Sequence, residues 1–239
     1  MKLTILVDDF DGAEPGFRTA YGFSVLIEKG GKKFLFDTGT RPIDLIHNLS
    51  AAGIGARDID AVLLSHNHND HANGVQVVLD ENEDVPVYVH GDWGRPHSFK
   101  GGAIPRKNLV VIEQARVLSE LQEGIFLTGS SRSSDYGGIY EQACWITTKS
   151  TRVLLTGCSH PGLNTFLAAQ DTLGIDQDLP LVILGGFHGF RFSKEEANRL
   201  DPQLQAVYCC HCTSHQRRFS AQFGKKCKTL AVGKSLVVN

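Results

Sequence analysis

The sequence predicts an α/β fold, layered and formed as a single domain over residues 1–239. Three observations carry the prediction. A chain of 239 residues with 41% hydrophobic content can bury a substantial core, and its length falls where one layered domain is common. From about residue 42 onward, short apolar runs of strand character alternate with segments of helical period. Histidines recur where those strands end, and functional groups of layered α/β folds gather on the loops that leave strand ends.

Residues 3–7, 23–28 and 33–36 read as strands, the last two joined through the Gly30-Gly31 turn signal. A helix follows Pro42, because Ile43, Leu45, Ile46 and Leu49 recur near helical spacing and Gly53 stands where a C-terminal cap falls. Residues 59–64 read as a buried strand that delivers the chain into Ser65-His66-Asn67-His68-Asn69-Asp70-His71. A helix at 75–79 and strands at 85–90 and 108–112 follow, then a loop-rich middle with a Gly-Ser-Ser-Arg-Ser-Ser run at 129–134, too short for a domain linker. Strands at 144–148 and 152–156 form a hairpin and end at Gly157-Cys158-Ser159-His160. A helix at 163–173, a strand at 181–184, a helix at 193–200 and strands at 204–209, 229–232 and 236–238 complete the chain.

Composition excludes several classes of function. Twenty-four basic residues against 26 acidic ones leave a net charge of −2, so no global field favours nucleic acid or an anionic membrane, and a small molecule is the expected partner. Apolar runs such as 61–64 and 181–184 fall far short of the roughly 20 residues that cross a bilayer. The first ten residues read as a strand reaching two aspartates and not as a secretory signal, so the expected compartment is the cytoplasm. Six cysteines, at 144, 158, 209, 210, 212 and 227, are bunched unlike a secreted disulfide framework and are expected to be reduced. Oligomeric state is left open.

The chemistry concentrates in His66-x-His68-x-Asp70-His71. A solvated loop gains nothing from three imidazoles and a carboxylate within six residues, so metal binding is the economical reading. Alternation places His66 and His68 on one side of an extended segment, while Asp70 and His71 follow a turn and can address a second ion about 3.5–4 Å away, the usual two-metal spacing. Four residues cannot close two sites, since zinc takes three or four protein ligands. Further donors are sought at strand-end loops: His90, His160 in Gly-Cys-Ser-His-Pro-Gly, His188 in Gly-Gly-Phe-His-Gly and His211 in Cys-Cys-His-Cys-Thr. Small neighbours let the backbone approach a crowded centre around His160 and His188. His160 and His211 are expected as ligands, and His188 as ligand, proton donor or substrate contact.

The strings Leu35-Phe36-Asp37-Thr38-Gly39 and Leu64-Ser65-His66-x-His68-x-Asp70-His71 resemble the metallo-β-lactamase superfamily. Thr156-Gly157-Cys158-Ser159-His160, Gly185-Gly186-Phe187-His188 and His211-Cys212-Thr213 resemble its branch of archaeal dihydropteroate-synthase-type 7,8-dihydropterin-6-methyl-4-(β-D-ribofuranosyl)aminobenzene 5′-phosphate synthases. The likeness runs from about Leu3 to the C-terminus. It implies a four-layer αββα sandwich with two divalent ions, zinc first and iron or manganese as alternatives. His66, His68 and His160 would hold one ion, and Asp70, His71 and His211 the other, with Asp37 bracing the metal loop. Many superfamily members carry a metal-bridging Asp after a Thr-Gly at a strand end; here the corresponding slot is Cys158, so either a thiolate contacts metal or the bridge is water alone.

Other features receive plainer readings. Cys210 and Cys212 are expected to bury on one strand face as small hydrophobes, Asp8-Asp9 to form a strand-end turn, and Arg217, Arg218, Lys225, Lys226 and Lys228 to form a solvated face. Trp93, His97, Phe99 and Lys100 are expected in the pocket wall. Two reactions fit. In the first, a metal-bound hydroxide hydrolyses an ester, lactone, amide or phosphate, with Asp70 handling the proton and His188 protonating the leaving group. The second, implied by the branch, is pterin-methyl transfer to an aryl amine with pyrophosphate leaving. A metal-binding redox or sensor module ranks last.

Overall fold

The computed structural model describes residues 1–95 and 99–239. In the N-terminal half, β1 (Lys2–Val7), β2 (Ser24–Lys29) and β3 (Lys32–Phe36) precede helix α1 (Pro42–Ala51), which begins on its proline. Then come β4 (Ala61–Leu63), the single turn α2 (Asn69–Ala72), α3 (Val75–Glu81), β5 (Val87–His90) and β6 (Leu109–Ile112). The C-terminal half opens with short strands β7 (Arg116–Val117), β8 (Ile125–Leu127), β9 (Ser131–Arg132) and β10 (Tyr140–Glu141). It continues through β11 (Cys144–Thr147), β12 (Arg152–Thr156), α4 (Leu163–Leu173), β13 (Leu181–Gly185) and α5 (Lys194–Leu200). The chain closes with β14 (Leu204–Cys209), α6 (Gln216–Phe223), β15 (Cys227–Lys228) and β16 (Ser235–Val237).

Two seven-stranded sheets result, ordered β16-β1-β2-β3-β4-β5-β6 and β15-β14-β13-β12-β11-β8-β7, beside a two-stranded β9-β10 ribbon. Each sheet is antiparallel at one end and parallel at the other, with β3 to β6 and β12 to β15 forming the parallel runs. Strand alternation explains the layering. Leu3, Ile5, Val25, Ile27, Phe34 and Phe36 of the first sheet meet Cys144, Ile146, Val153, Leu155, Val182 and Leu184 of the second in one inter-sheet core. The intervening residues face outward: Leu6, Leu26, Leu35 and Val62 cover Leu45 and Leu49 of α1 and Val75 and Val78 of α3. Trp145, Leu154, Ile183 and Val207 likewise cover Phe166 of α4, Ala197 of α5 and Phe219 of α6. Strands apolar on both faces therefore make the expected αββα sandwich. Burying each large apolar side chain contributes roughly 1.5–3 kcal/mol before entropy is counted.

Two boundaries differ instructively from the sequence expectation. Residues 229–232 form no strand; only Val232 makes an isolated bridge, to Ala13, and Gly233 at φ +88° turns the chain back toward Phe17. Ser193 is the cap of α5 and not its first residue: its hydroxyl accepts from Glu196 N while the Glu196 carboxylate accepts from Ser193 N. Among the described residues, no helix is long and apolar enough to cross a membrane.

Candidate metal centre

In a parallel run of strands every C-terminal end lies at the same sheet edge, which is where such folds build sites. β3 leads there into Asp37, β4 into His66, β12 into His160, β13 into His188 and β14 into His211. The chain stays extended to His68 (φ −98°, ψ 151°) and then makes the turn α2, so that His66 and His68 separate from Asp70 and His71.

Asp37 organises this loop from below. It is fully buried and held at φ +56°; its carboxylate accepts from Ser65 N, Ser65 Oγ and His71 Nδ1, each at 2.7 Å. One of these bonds orients the ring of His71, and the other two hold Ser65, the residue that precedes His66. The close approach needs a glycine opposite: a Cβ on Gly157 would strike Ser65 Oγ and lie 3.1 Å from Asp37 Oδ2.

Glu141 does for the second sheet what Asp37 does for the first. Its buried carboxylate accepts from Cys158 N and Ser159 N at 2.9 Å and from His160 N at 2.7 Å. Burial pushes it up to about 7, against the pull of those three amides. Next to it, Gln142 crosses between the sheets, donating from N to Ser65 O at 2.8 Å and from Nε2 to Leu64 O at 2.9 Å.

Among the described residues, five groups of three possible ligands bring their donor atoms together, and two of these are the trios named from the sequence. Donor atoms of His66, His68 and His160 lie within 4.8 Å of one another, as do those of Asp70, His71 and His211. The other three are His66 with His71 and Cys158, Cys158 with His211 and Cys212, and Asp135 with His160 and His188. His160 Nδ1 pairs with Asp135 Oδ2 at 3.1 Å, while its buried Nε2 has no hydrogen-bond partner among the described residues. His211 Nδ1 pairs with Asp9 Oδ1 at 2.7 Å and Nε2 with Asp70 Oδ2 at 3.2 Å, while its backbone N donates to Asp8.

Electrostatics separates the trios. Burial lowers His66 well below its ordinary value, takes His68 to about 4 and takes His160 to about 3. Burial therefore favours the neutral form of all three rings, the form that ligates a metal. Burial also pushes His211 and His71 down, but carboxylates outweigh it: Asp70 and Asp9 raise His211 to about 10, and Asp37 and Asp70 raise His71. Burial of Asp70 works the other way, yet the His211 bond and the nearby imidazoles hold its carboxyl far below the usual range.

A cavity of about 330 Å³ reaches the first trio through His68 and His160 and the second through Asp70; Tyr21, Asn69, Phe99, Tyr136, Cys158, His188 and Cys212 line the rest. His188 sits at its mouth, about a third exposed, with Nδ1 3.6 Å from Asp135 Oδ2 and Nε2 3.5 Å from the Tyr136 hydroxyl. His90 belongs elsewhere, buried against Trp93. Of the expected pocket-wall residues, Phe99 lines the cavity; Trp93 packs beneath the first sheet, Lys100 only bridges to His68, and His97 lies outside the described residues.

Two plain readings are corrected. Asp8 and Asp9 do more than turn the chain, since both hold His211. Cys210 is buried in the core as expected, but Cys212 does not share its face: β14 ends at Cys209, and Cys212 adopts φ +59°, turning its sulfur to 3.2 Å from Cys158 Sγ. Asp135, Tyr136 and Glu141 carry no local sequence signal, since each is one polar residue in a loop-rich stretch.

The family model described as the metallo-beta-lactamase superfamily matches residues 18–202. The chain is 26% identical to the 7,8-dihydropterin-6-methyl-4-(β-D-ribofuranosyl)-aminobenzene-5′-phosphate synthase of Methanocaldococcus jannaschii, over 93% of this chain and 89% of that one. Among solved structures, it is similar to a metal-dependent hydrolase of the beta-lactamase superfamily with TM-score 0.74 and 25% identity, covering 100% of this chain and 99% of the other. The metallo-beta-lactamase fold protein YhfI of Bacillus subtilis superposes with TM-score 0.63 at 15% identity, covering 98% of each chain, a likeness of fold alone.

Proposed function

This chain belongs to the metallo-β-lactamase superfamily, and from that premise we propose that it is a two-metal hydrolase of a small-molecule ester, lactone, amide or phosphate. The observation that carries the proposal is the pair of trios opening on one cavity. The donor chemistry fits divalent ions: three imidazoles in one trio, two imidazoles and a carboxylate in the other, each leaving room for a substrate position. The unpartnered buried Nε2 of His160 supports the fit, because a buried nitrogen without a partner is costly unless an ion takes it.

His66, His68 and His160 would hold one ion and Asp70, His71 and His211 the other, with zinc the first expectation and iron or manganese the alternatives. Bound there, the ions supply Lewis acidity and make water acidic enough to serve as a nucleophile at neutral pH. The protein's own groups do the remainder. Asp37 and Glu141 hold the two ligand loops at fixed separation, and Asp70 accepts or orients the proton of the attacking water. His188, steered by Asp135 and Tyr136, gives a proton to the leaving group. Tyr21, Phe99 and Tyr136 line the mouth and offer exposed aromatic surface to a substrate.

A second reading is transfer of a pterin-methyl group to an aryl amine with pyrophosphate leaving, supported by the likeness to the archaeal synthase over nearly the whole chain. One experiment separates the two. Metal-loaded protein is offered a panel of esters, lactones, amides and phosphodiesters, and separately a pterin-methyl pyrophosphate with an aminobenzoate-type amine. Hydrolysis of one panel class is expected; formation of the carbon–nitrogen adduct without hydrolysis replaces the first reading with the second. Asp70→Asn with full metal content and undiminished rate would remove the proton role of Asp70.

A further inference from the structure

We propose that Cys158 and Cys212 are a pair of thiolate ligands to this centre, making its donor set a mixed one of nitrogen, oxygen and two sulfurs. This inference rests on the two-metal reading and deepens it: with a thiolate added to three protein ligands, an ion would take water or substrate as a fifth neighbour. The two Sγ atoms are 3.2 Å apart, and Cys158 Sγ lies 3.2 Å from His71 Nε2. Cys158 falls within ligand distance of His66 and His71 in one grouping and of His211 and Cys212 in another, so its sulfur stands between the trios. Cys212 belongs to the His211 side alone.

The other cysteines make the contrast. Cys144 and Cys210 pack in the inter-sheet core, and Cys209 faces Cys227 at 3.8 Å beside α6. Of the six free thiols, only Cys158 and Cys212 line the cavity. As packing residues they would leave two weak S–H donors facing each other beside imidazoles. As ligands, each gives its proton to solvent and becomes a strong, soft donor.

The backbone is built to bring them together. Cys212 holds a positive φ that a residue with a Cβ adopts at a cost and glycine adopts freely, yet a sulfur-bearing side chain stands there. Beneath it, a Cβ on Gly186 would lie 2.8 Å from Cys212 Sγ and collide with the carbonyl oxygens of Gly157 and His211. The loops carrying the two sulfurs thus converge over a position that tolerates no side chain. Soft sulfur in this place favours zinc over harder ions such as manganese.

X-ray absorption at the zinc edge tests this on the unaltered protein, loaded with two equivalents of zinc under a phosphine reductant. The expected spectrum has a sulfur shell near 2.3 Å, about one sulfur per zinc, beside nitrogen and oxygen at about 2.0–2.1 Å. Cys212→Ser should lower the sulfur amplitude by a third to a half, and the double variant Cys158→Ser/Cys212→Ser should abolish it. Two bound zinc ions with nitrogen and oxygen neighbours alone would overturn the thiolate assignment and leave the two-metal reading standing. A sulfur shell that survives in the double variant also overturns it, by tracing the sulfur to another thiol. Failure to bind zinc stoichiometrically would sink the two-metal reading and this inference with it.

Discussion

The two trios of the site are built from similar residues and differ in charge economy. His66, His68 and His160 have one carboxylate contact among their three rings, from Asp135, and burial favours the neutral form of all three. Asp70, His71 and His211 are laced with Asp37 and Asp9, so their imidazoles hold protons more tightly than free histidine does. The first trio is ready for a cation as it stands. In the second, a cation must displace protons from an internal ion pair. On the two-metal reading proposed above, the difference teaches that the two ions need not enter as a unit: the first trio would take its ion first, and the second would gain affinity as pH rises.

The comparison can be broken most severely at His66. His66→Ala should lose one equivalent of metal by elemental analysis and slow hydrolysis about 10³-fold, equivalent to about 4 kcal/mol of transition-state stabilisation. Unchanged metal content would refute the priority of the first trio. A smaller effect is expected from Asp9, which touches His211 and no member of the first trio. Asp9→Asn should weaken the second ion by roughly 10–100-fold in calorimetric titration while leaving the first untouched, the usual range for a carboxylate that orients a ligand. Equal weakening of both ions would erase the distinction.

The smallest effect is a pH dependence of the metal-free protein. His211 titrates at about 10 when folded against an ordinary 6.5, so its pairing with Asp70 and Asp9 stabilises the fold fully below pH 6.5 and is lost as pH rises through about 10. The Tm of metal-free protein should therefore fall across that window, and His211→Gln should flatten the fall. A Tm that climbs instead would mean His211 is neutral in the folded state. Asp70, whose carboxyl is held low, marks the other limb of the same pair and gives way only in strong acid.

What can be read in the sequence follows from where each signal is encoded. The His66 to His71 cluster is local, so its chemistry shows without a fold, and strands apolar on both faces show as runs. His160 and His211 are legible because small or sulfur-bearing neighbours mark them at strand ends. Glu141 is not, because nothing near it in the chain distinguishes it from a surface glutamate; its three partners lie 17 to 19 residues away. Asp9 meets His211 across 202 residues, a pairing created only when β1 and β14 end at the same edge. Strand alternation misplaces Cys212 because it extends past the point where β14 stops, and a positive φ reverses the side that alternation predicts.

Gln142 has a bearing on which element the protein ends up carrying. Its two bonds to the loop after β4 tie the halves of the sandwich at the rim, so the opening is gauged by amide contacts before any cation arrives. If ions bind as proposed, a rim held in this way would leave little room to select them by closing to fit their radius. Discrimination would then fall to the softness of the donors and to the ions the surroundings supply.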